Sequence, residues 1–199
     1  MSFVVESLPP LTWSNGTGAA EQAGPGQLTL TAAAGTDWTN SALGGEHQHG
    51  ATSLGFVPTE DFTLSARVSV QHPRSTFDAG VLAIWGDKDH WAKLCFEYSP
   101  QGEAMVVSVV TNGFSDDCNS TVVTADHVFL RVVKTGVGWA FHSSADGVTW
   151  DFVRVFRLDW DGDVNVGFMA QAPLGDTCVA RFDAIRYANT VPGDLRDGS

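Results

Sequence analysis

The sequence predicts an all-β sandwich of two antiparallel sheets, and three observations predict it. Short stretches with apolar residues at every second position recur along the chain, each bounded by Gly, Pro, Asn or Asp. No stretch carries the 3.6-residue apolar spacing of a long amphipathic helix. The 199 residues, 43% hydrophobic and 17% charged, supply enough apolar side chain for one large core and too much for a disordered chain.

The elements follow in order. Residues 11–14 read as a short strand ending at the turn dipeptide Asn15-Gly16. Residues 27–33 alternate, with Leu28 and Leu30 on one face, and a long polar loop then runs from Gly35 to Gly50. Residues 52–56 and 62–70 follow, the second alternating cleanly through Leu64, Ala66, Val68 and Val70. Residues 104–111 are apolar on both sides and 113–120 form a polar loop; 128–135 and 138–143 make a hairpin about Gly136. Strands at 151–156, 165–170 and 178–187 close a domain spanning 1–188, about a dozen strands in all. Residues 189–199 have the composition of an unstructured or loosely docked C-terminal tail.

The stretch FDAGVLAIWGDKDHWAKLCFEY, residues 77–98, is the centre of this arrangement. Its first strand, 79–85, is apolar throughout, as in a strand covered on both faces. In the second, Trp91, Lys93, Cys95 and Glu97 share one face and Ala92, Leu94, Phe96 and Tyr98 the other. A Lys and a Glu on one face of a central strand do not make a core, because buried charge is costly unless paired or used. We read that face, spanning roughly 20 Å, as the floor of a ligand groove. Glu97 accepts hydroxyl hydrogen bonds, Lys93 donates them, and Trp91 offers a flat apolar surface. The alternative is an exposed Lys–Glu pair of small consequence.

Composition excludes some partners. A net charge of −12 disfavours nucleic acid and anionic membrane. Three cysteines without ligand or framework spacing read as free thiols in a reducing compartment. The N-terminal stretch lacks a basic region followed by an apolar run, so no signal peptide is expected; no apolar stretch is long enough to span a membrane. A cytoplasmic location is the expectation.

Around the groove, Asp78 heads the first central strand, either facing Lys93 or capping the strand. Asp116, with Asp117 beside it, follows the strand ending at 111 and is placed at the rim. A glycosidase needs two carboxyls about 5–9 Å apart; the Trp91–Glu97 face supplies one, so a second must come from a loop. His47 and His49 flank Gln48 in the Gly-rich loop; they chelate a metal only if a third ligand converges, and a solvated loop is the plainer reading. No metal or other cofactor is assigned, although Asp61, Asp159, Asp161, Asp163 and Asp183 offer oxygen ligands for a structural Ca2+. Cys95 reads as an inert buried thiol. SADGVTW resembles an Asp-box hairpin, a structural staple in which Asp146 bonds turn amides, Gly147 takes a left-handed conformation and Trp150 packs below.

Thr36-Asp37-Trp38, the 77–97 block, VVSVVTNGFSDD, SADGVTW, GFMAQAP and VARFDAIRY together resemble the DUF1349 family over residues 8–188. The resemblance implies a jelly-roll sandwich of the concanavalin A-like type, with Trp91, Lys93 and Glu97 on the concave sheet. It implies no settled activity, since such folds host binders and hydrolases alike. The family loop that often reads His-Asp-Asn-Gly is His47-Gln48-His49-Gly50 here, so its acidic position is missing. The Glu-x-Asp-x-x-Glu strand motif of related glucanases is also missing. A yeast member named for regulation of enolase implies a third possibility, a regulatory protein-interaction module acting on a metabolic enzyme.

The expected function is therefore binding of a carbohydrate or carbohydrate-like molecule by Glu97, Lys93, Trp91 and Asp78, with His47, His49 and Asp116 at the rim. The alternatives are a glycoside hydrolase or lyase with Glu97, and Lys93 beside it, as acid/base, and the interaction module.

Overall fold

The structure, a computed structural model, describes residues 3, 5 and 8–199. Part of the N-terminal stretch read above for a signal peptide lies outside the described residues. In chain order the strands are β1 (Thr12–Ser14), β2 (Ala19–Gly24), β3 (Gln27–Ala33), β4 (Trp38–Thr39), β5 (Gln48–His49), β6 (Ser53–Phe56), β7 (Phe62–Val70) and β8 (Ala79–Trp85). They continue as β9 (His90–Tyr98), β10 (Ala104–Asn112), β11 (Phe114–Val122), β12 (His127–Thr135), β13 (Gly138–Ser144), β14 (Asp151–Phe156), β15 (Asn165–Gln171) and β16 (Thr177–Ala188). There is no helix among the described residues, hence none long and apolar enough to cross a membrane.

Two seven-stranded antiparallel sheets form the sandwich, ordered β1-β6-β15-β8-β9-β10-β11 and β14-β13-β12-β7-β16-β3-β2; β4 and β5 pair separately in the long loop. The period-2 pattern sets which faces meet. Leu82, Ile84, Leu94, Phe96, Val106 and Phe168 of the first sheet pack against Leu64, Val68, Leu130, Val132, Phe141 and Phe182 of the second in one core. A second apolar cluster lies on the opposite face of the first sheet: Val81, Trp91, Cys95, Val107 and Met169, under Trp38 of the loop. This is why the 79–85 strand reads as apolar throughout, and why both β8 and β9 are central.

Between β6 and β15 the chains run close at Gly55 and Gly167, which are register partners. A Cβ on Gly55 would run into Val166 O, and one on Gly167 into Leu54 O. Only glycine fits that approach.

Two expectations need correcting. Residues 113–120 are not a loop but lie largely in β11, an edge strand with eight of its nine residues exposed, so no hydrophobic alternation marks it. β2, at the far edge of the other sheet, escapes notice for the same reason. Residues 189–199 are docked rather than loose, held across the outward face of the second sheet. Thr63 Oγ1 donates to Thr190 O (2.6 Å), His142 Nε2 to Leu195 O (2.7 Å) and Arg131 Nη2 to Gly198 O (3.0 Å). The Asp-box turn has the expected bonds, with Val148 and Thr149 N–H both 2.8 Å from Asp146 Oδ1 and Gly147 at φ 74°. Trp150 stacks on Arg131 (4.3 Å).

Candidate functional site

The groove face of β9 is built by its neighbours. Register sets Ala79, Val81, Ala83 and Trp85 of β8 beside Glu97, Cys95, Lys93 and Trp91. Met105, Val107, Val109 and Thr111 of β10 lie on the other side. The small residues of β8 leave room above the sheet. The loop carrying Asp37 and Trp38 closes one end, Trp38 packing on Trp85 (4.6 Å between ring centroids) and Trp91 (5.8 Å). A cavity of about 270 Å³ remains, lined by Asp37, Phe77, Lys93, Glu97, Asp117 and Asn119, with Trp38, Thr39, Val107, Val109 and Gln171 completing it.

Lys93 is 3% exposed, and its three N–H donors have three acceptors: Asp37 Oδ1 (2.8 Å), Trp38 O (2.8 Å) and Gln171 Oε1 (3.0 Å). Burial pushes its pKa down, but the adjacent Asp37 carboxylate outweighs this and holds the ammonium above its ordinary value. With every donor engaged, Lys93 ties the loop to the sheet. It has no donor left over for a ligand, contrary to the donor role expected of it.

Gln171, on β15, carries the tie onward. Its Nε2 donates to Phe77 O (2.9 Å) and approaches Glu97 Oε2 (3.4 Å). Phe77 sits in the left-handed region, φ 69°, which is costly for a side chain of its size. Its N–H donates to Tyr98 O (2.7 Å), so both of its backbone groups are fixed where its side chain walls the cavity.

Glu97 is the most perturbed acid of the groove. Burial, reinforced by the nearby Asp37 and Asp117 charges and opposed by Lys93 and Arg74, pushes its pKa from 4.5 to about 7. Asp117 is also raised, by desolvation first and by Asp37 and Asp116 after it, against the pull of Lys93. Three carboxyls thus share one ammonium, which is already spoken for by Asp37. The groups left facing the cavity are mainly acceptors.

The other predicted residues fall elsewhere. Trp91 is on the expected face but fully buried beneath Trp38, so its ring offers no platform. Asp78 is 1% exposed and turned away from the groove, with Oδ2 accepting from Ser75 N (2.8 Å) and Arg74 Nη2 bonded to its carbonyl (2.9 Å). Asp116 pairs with Arg154 (2.8 Å) on the opposite face of β11; its neighbour Asp117, partner of Val109, faces the groove. A register one residue off exchanges the two. His49 Nε2 is bonded to Asn40 Oδ1 (2.7 Å), while His47 lies 6.3 Å from Phe114; both stand on the loop outside the cavity lining. Among the described residues no three His, Cys, Asp or Glu converge as a metal site. Of the aspartates considered for Ca2+, Asp61 caps Gly136 N–H (2.9 Å) and Asp183 pairs with Arg67 (2.6 Å). Asp37, Asn119 and Gln171 were missed, and Asp117 was noted only as the neighbour of Asp116. Asp37 had a signal, an acid beside a Trp at the head of a long loop, and a buried Lys demands such a partner.

The profile of a family described as "Protein of unknown function (DUF1349)" matches residues 13–190. The chain belongs to the DUF1349 family. A DUF1349-type chain of this kind has a solved structural counterpart in a functionally unknown protein from Saccharomyces cerevisiae. That match has TM-score 0.82 and 27% identity, covering 92% of this chain and 97% of that one. A xylan β-1,4-xylosidase from Bacillus halodurans shares the fold at TM-score 0.62 and 18% identity, over 82% of this chain but only 33% of the enzyme. An alginate lyase from Klebsiella pneumoniae does so at TM-score 0.51 and 12% identity, over 81% of each chain. These two likenesses establish the jelly-roll architecture and nothing of the activity. No curated protein sequence matches the chain.

Proposed function

We propose that this DUF1349 chain binds a neutral carbohydrate, or a molecule as rich in hydroxyl groups, in the groove above β9. One observation carries the reading: the cavity is lined by Glu97, Asp117, Asn119 and Asp37 together with the apolar Phe77, Val107 and Val109, and Asn119 and Asp117 lie directly beside Val107 and Val109. Hydroxyls need acceptors, and the C–H faces of a sugar ring need apolar walls. The excess of carboxyls disfavours an anionic glycan, because the one cation in the cavity is consumed by Asp37, Trp38 O and Gln171. A thermal-shift screen of neutral and acidic sugars tests it. Stabilisation by neutral members, weakened in Asp117→Asn, supports the reading; no stabilisation, or a preference for acidic glycans, opposes it.

A second reading, a glycoside hydrolase or lyase, is favoured by the Glu97 pKa of about 7, the range in which a carboxyl serves as general acid. Asp37 and Asp117 are then the candidates for its partner. Turnover on glycoside substrates that survives Glu97→Gln would rule that assignment out. The three free thiols suit a reducing compartment, and a cytoplasmic location belongs to the proposal, to be checked by fractionation.

A further inference from the structure

The outward face of the second sheet carries a second cavity, of about 320 Å³, beneath residues 189–199. Its floor is one row of the sheet: Ser65 of β7 is flanked by Arg131 of β12 and Arg186 of β16, and Arg131 by His142 of β13. Trp150 and Thr63 supply the walls, and Gly198 lies against Arg131 at one end.

Arg131 is the anomaly. It is 6% exposed, yet no carboxylate lies within ion-pair distance of it or of Arg186 among the described residues. Its contacts are Gly198 O (3.0 Å) and the Trp150 ring (4.3 Å), and its buried Nε–H has no partner. Burial alone moves its pKa to about 10, which leaves it charged at neutral pH. A buried cation without a counter-ion is costly, and protein interiors pair such charges or put them to use. The shortage is deliberate in chemical terms: the chain has 23 acidic residues against 11 Lys and Arg, and none of the acids is spent here.

We infer that this cavity is a binding site for a small oxyanion-bearing molecule, a phosphate or carboxylate held between Arg131 and Arg186 with its body against Trp150. A guanidinium pair suits planar or tetrahedral oxyanions through forked N–H donors. The volume exceeds that of a bare ion and lies at the lower end of small-ligand sites. The site is independent of the groove, which lies on the other sheet and is rich in carboxyls.

The test is a titration of the full chain with inorganic phosphate in one arm and malonate in the other, at ionic strength fixed with sodium chloride, read by melting temperature and calorimetry. The inference predicts saturable stabilisation by at least one anion. Arg186→Gln, at an exposed position that leaves folding intact, weakens it about tenfold, the scale of one lost charge-assisted contact. Arg131→Lys, which keeps the charge but loses the fork, also weakens it. Asp117→Asn in the groove leaves the phosphate response as it was. A response that is absent for both anions, or is unchanged in Arg186→Gln, overturns the inference.

Discussion

Replacing Glu97 by Gln should reverse part of the protein's pH dependence. The carboxyl has an ordinary pKa of 4.5 and a folded value of about 7. The folded state therefore binds the proton more tightly than the unfolded chain. Below pH 4.5 both states are protonated and the group costs nothing. Between 4.5 and 7 the unfolded chain ionises first, so stability falls as pH rises. Above 7 the full cost is present, about 3 kcal/mol at most. Gln keeps the shape and can still meet Gln171 Nε2 but cannot ionise. Glu97→Gln should thus gain on the wild type with rising pH, reaching about 3 kcal/mol by pH 8. For a domain of this size that is roughly 6–12 °C in melting temperature. Thermal melts of both proteins at pH 4, 6 and 8 measure it. A difference that stays constant from pH 4 to 8 would refute the assignment of a desolvated carboxyl.

Three further outcomes follow from the same geometry. Lys93→Met strands Asp37, Trp38 O and Gln171 Oε1 without their donor, and chemical denaturation should show a loss of about 3–5 kcal/mol. Combined with Asp37→Asn the loss should be well short of additive, since both changes break one pair. Gly167→Ala forces a methyl into the β6 backbone and should cost about 1–3 kcal/mol, with a lowered melting temperature as readout. Truncation after Ala188 removes three hydrogen bonds to the second sheet, at about 1 kcal/mol each; an unchanged urea midpoint would mean the segment does not dock.

Much of this architecture could be read from the residues because it depends on local period. The two faces of β9 follow from alternation alone, and in the structure Ala92, Leu94 and Phe96 join the main core while Trp91 and Cys95 do not. The groove floor was legible for that reason. Its contents were not, because they depend on pairing between distant segments. Asp37 reaches Lys93 across 56 positions and Gln171 across 78, and nothing local announces either. Asp116 and Asp117 differ only by register, which the turn at Gly113 fixes and the sequence leaves open. Trp91 alternates like an exposed residue; the loop that folds over it removes it from solvent. The edge strands β2 and β11 carry no apolar face, so they have no pattern to show.

The central claim is that the groove takes a neutral, hydroxyl-rich ligand through its carboxyls. A glycan array spanning neutral and acidic sugars, probed with the wild type and with Asp117→Asn/Asn119→Ala, tests it most directly. The account predicts retention of neutral glycans by the wild type and loss of that retention in the variant. Retention that is absent, confined to acidic glycans, or untouched by the two substitutions would contradict it.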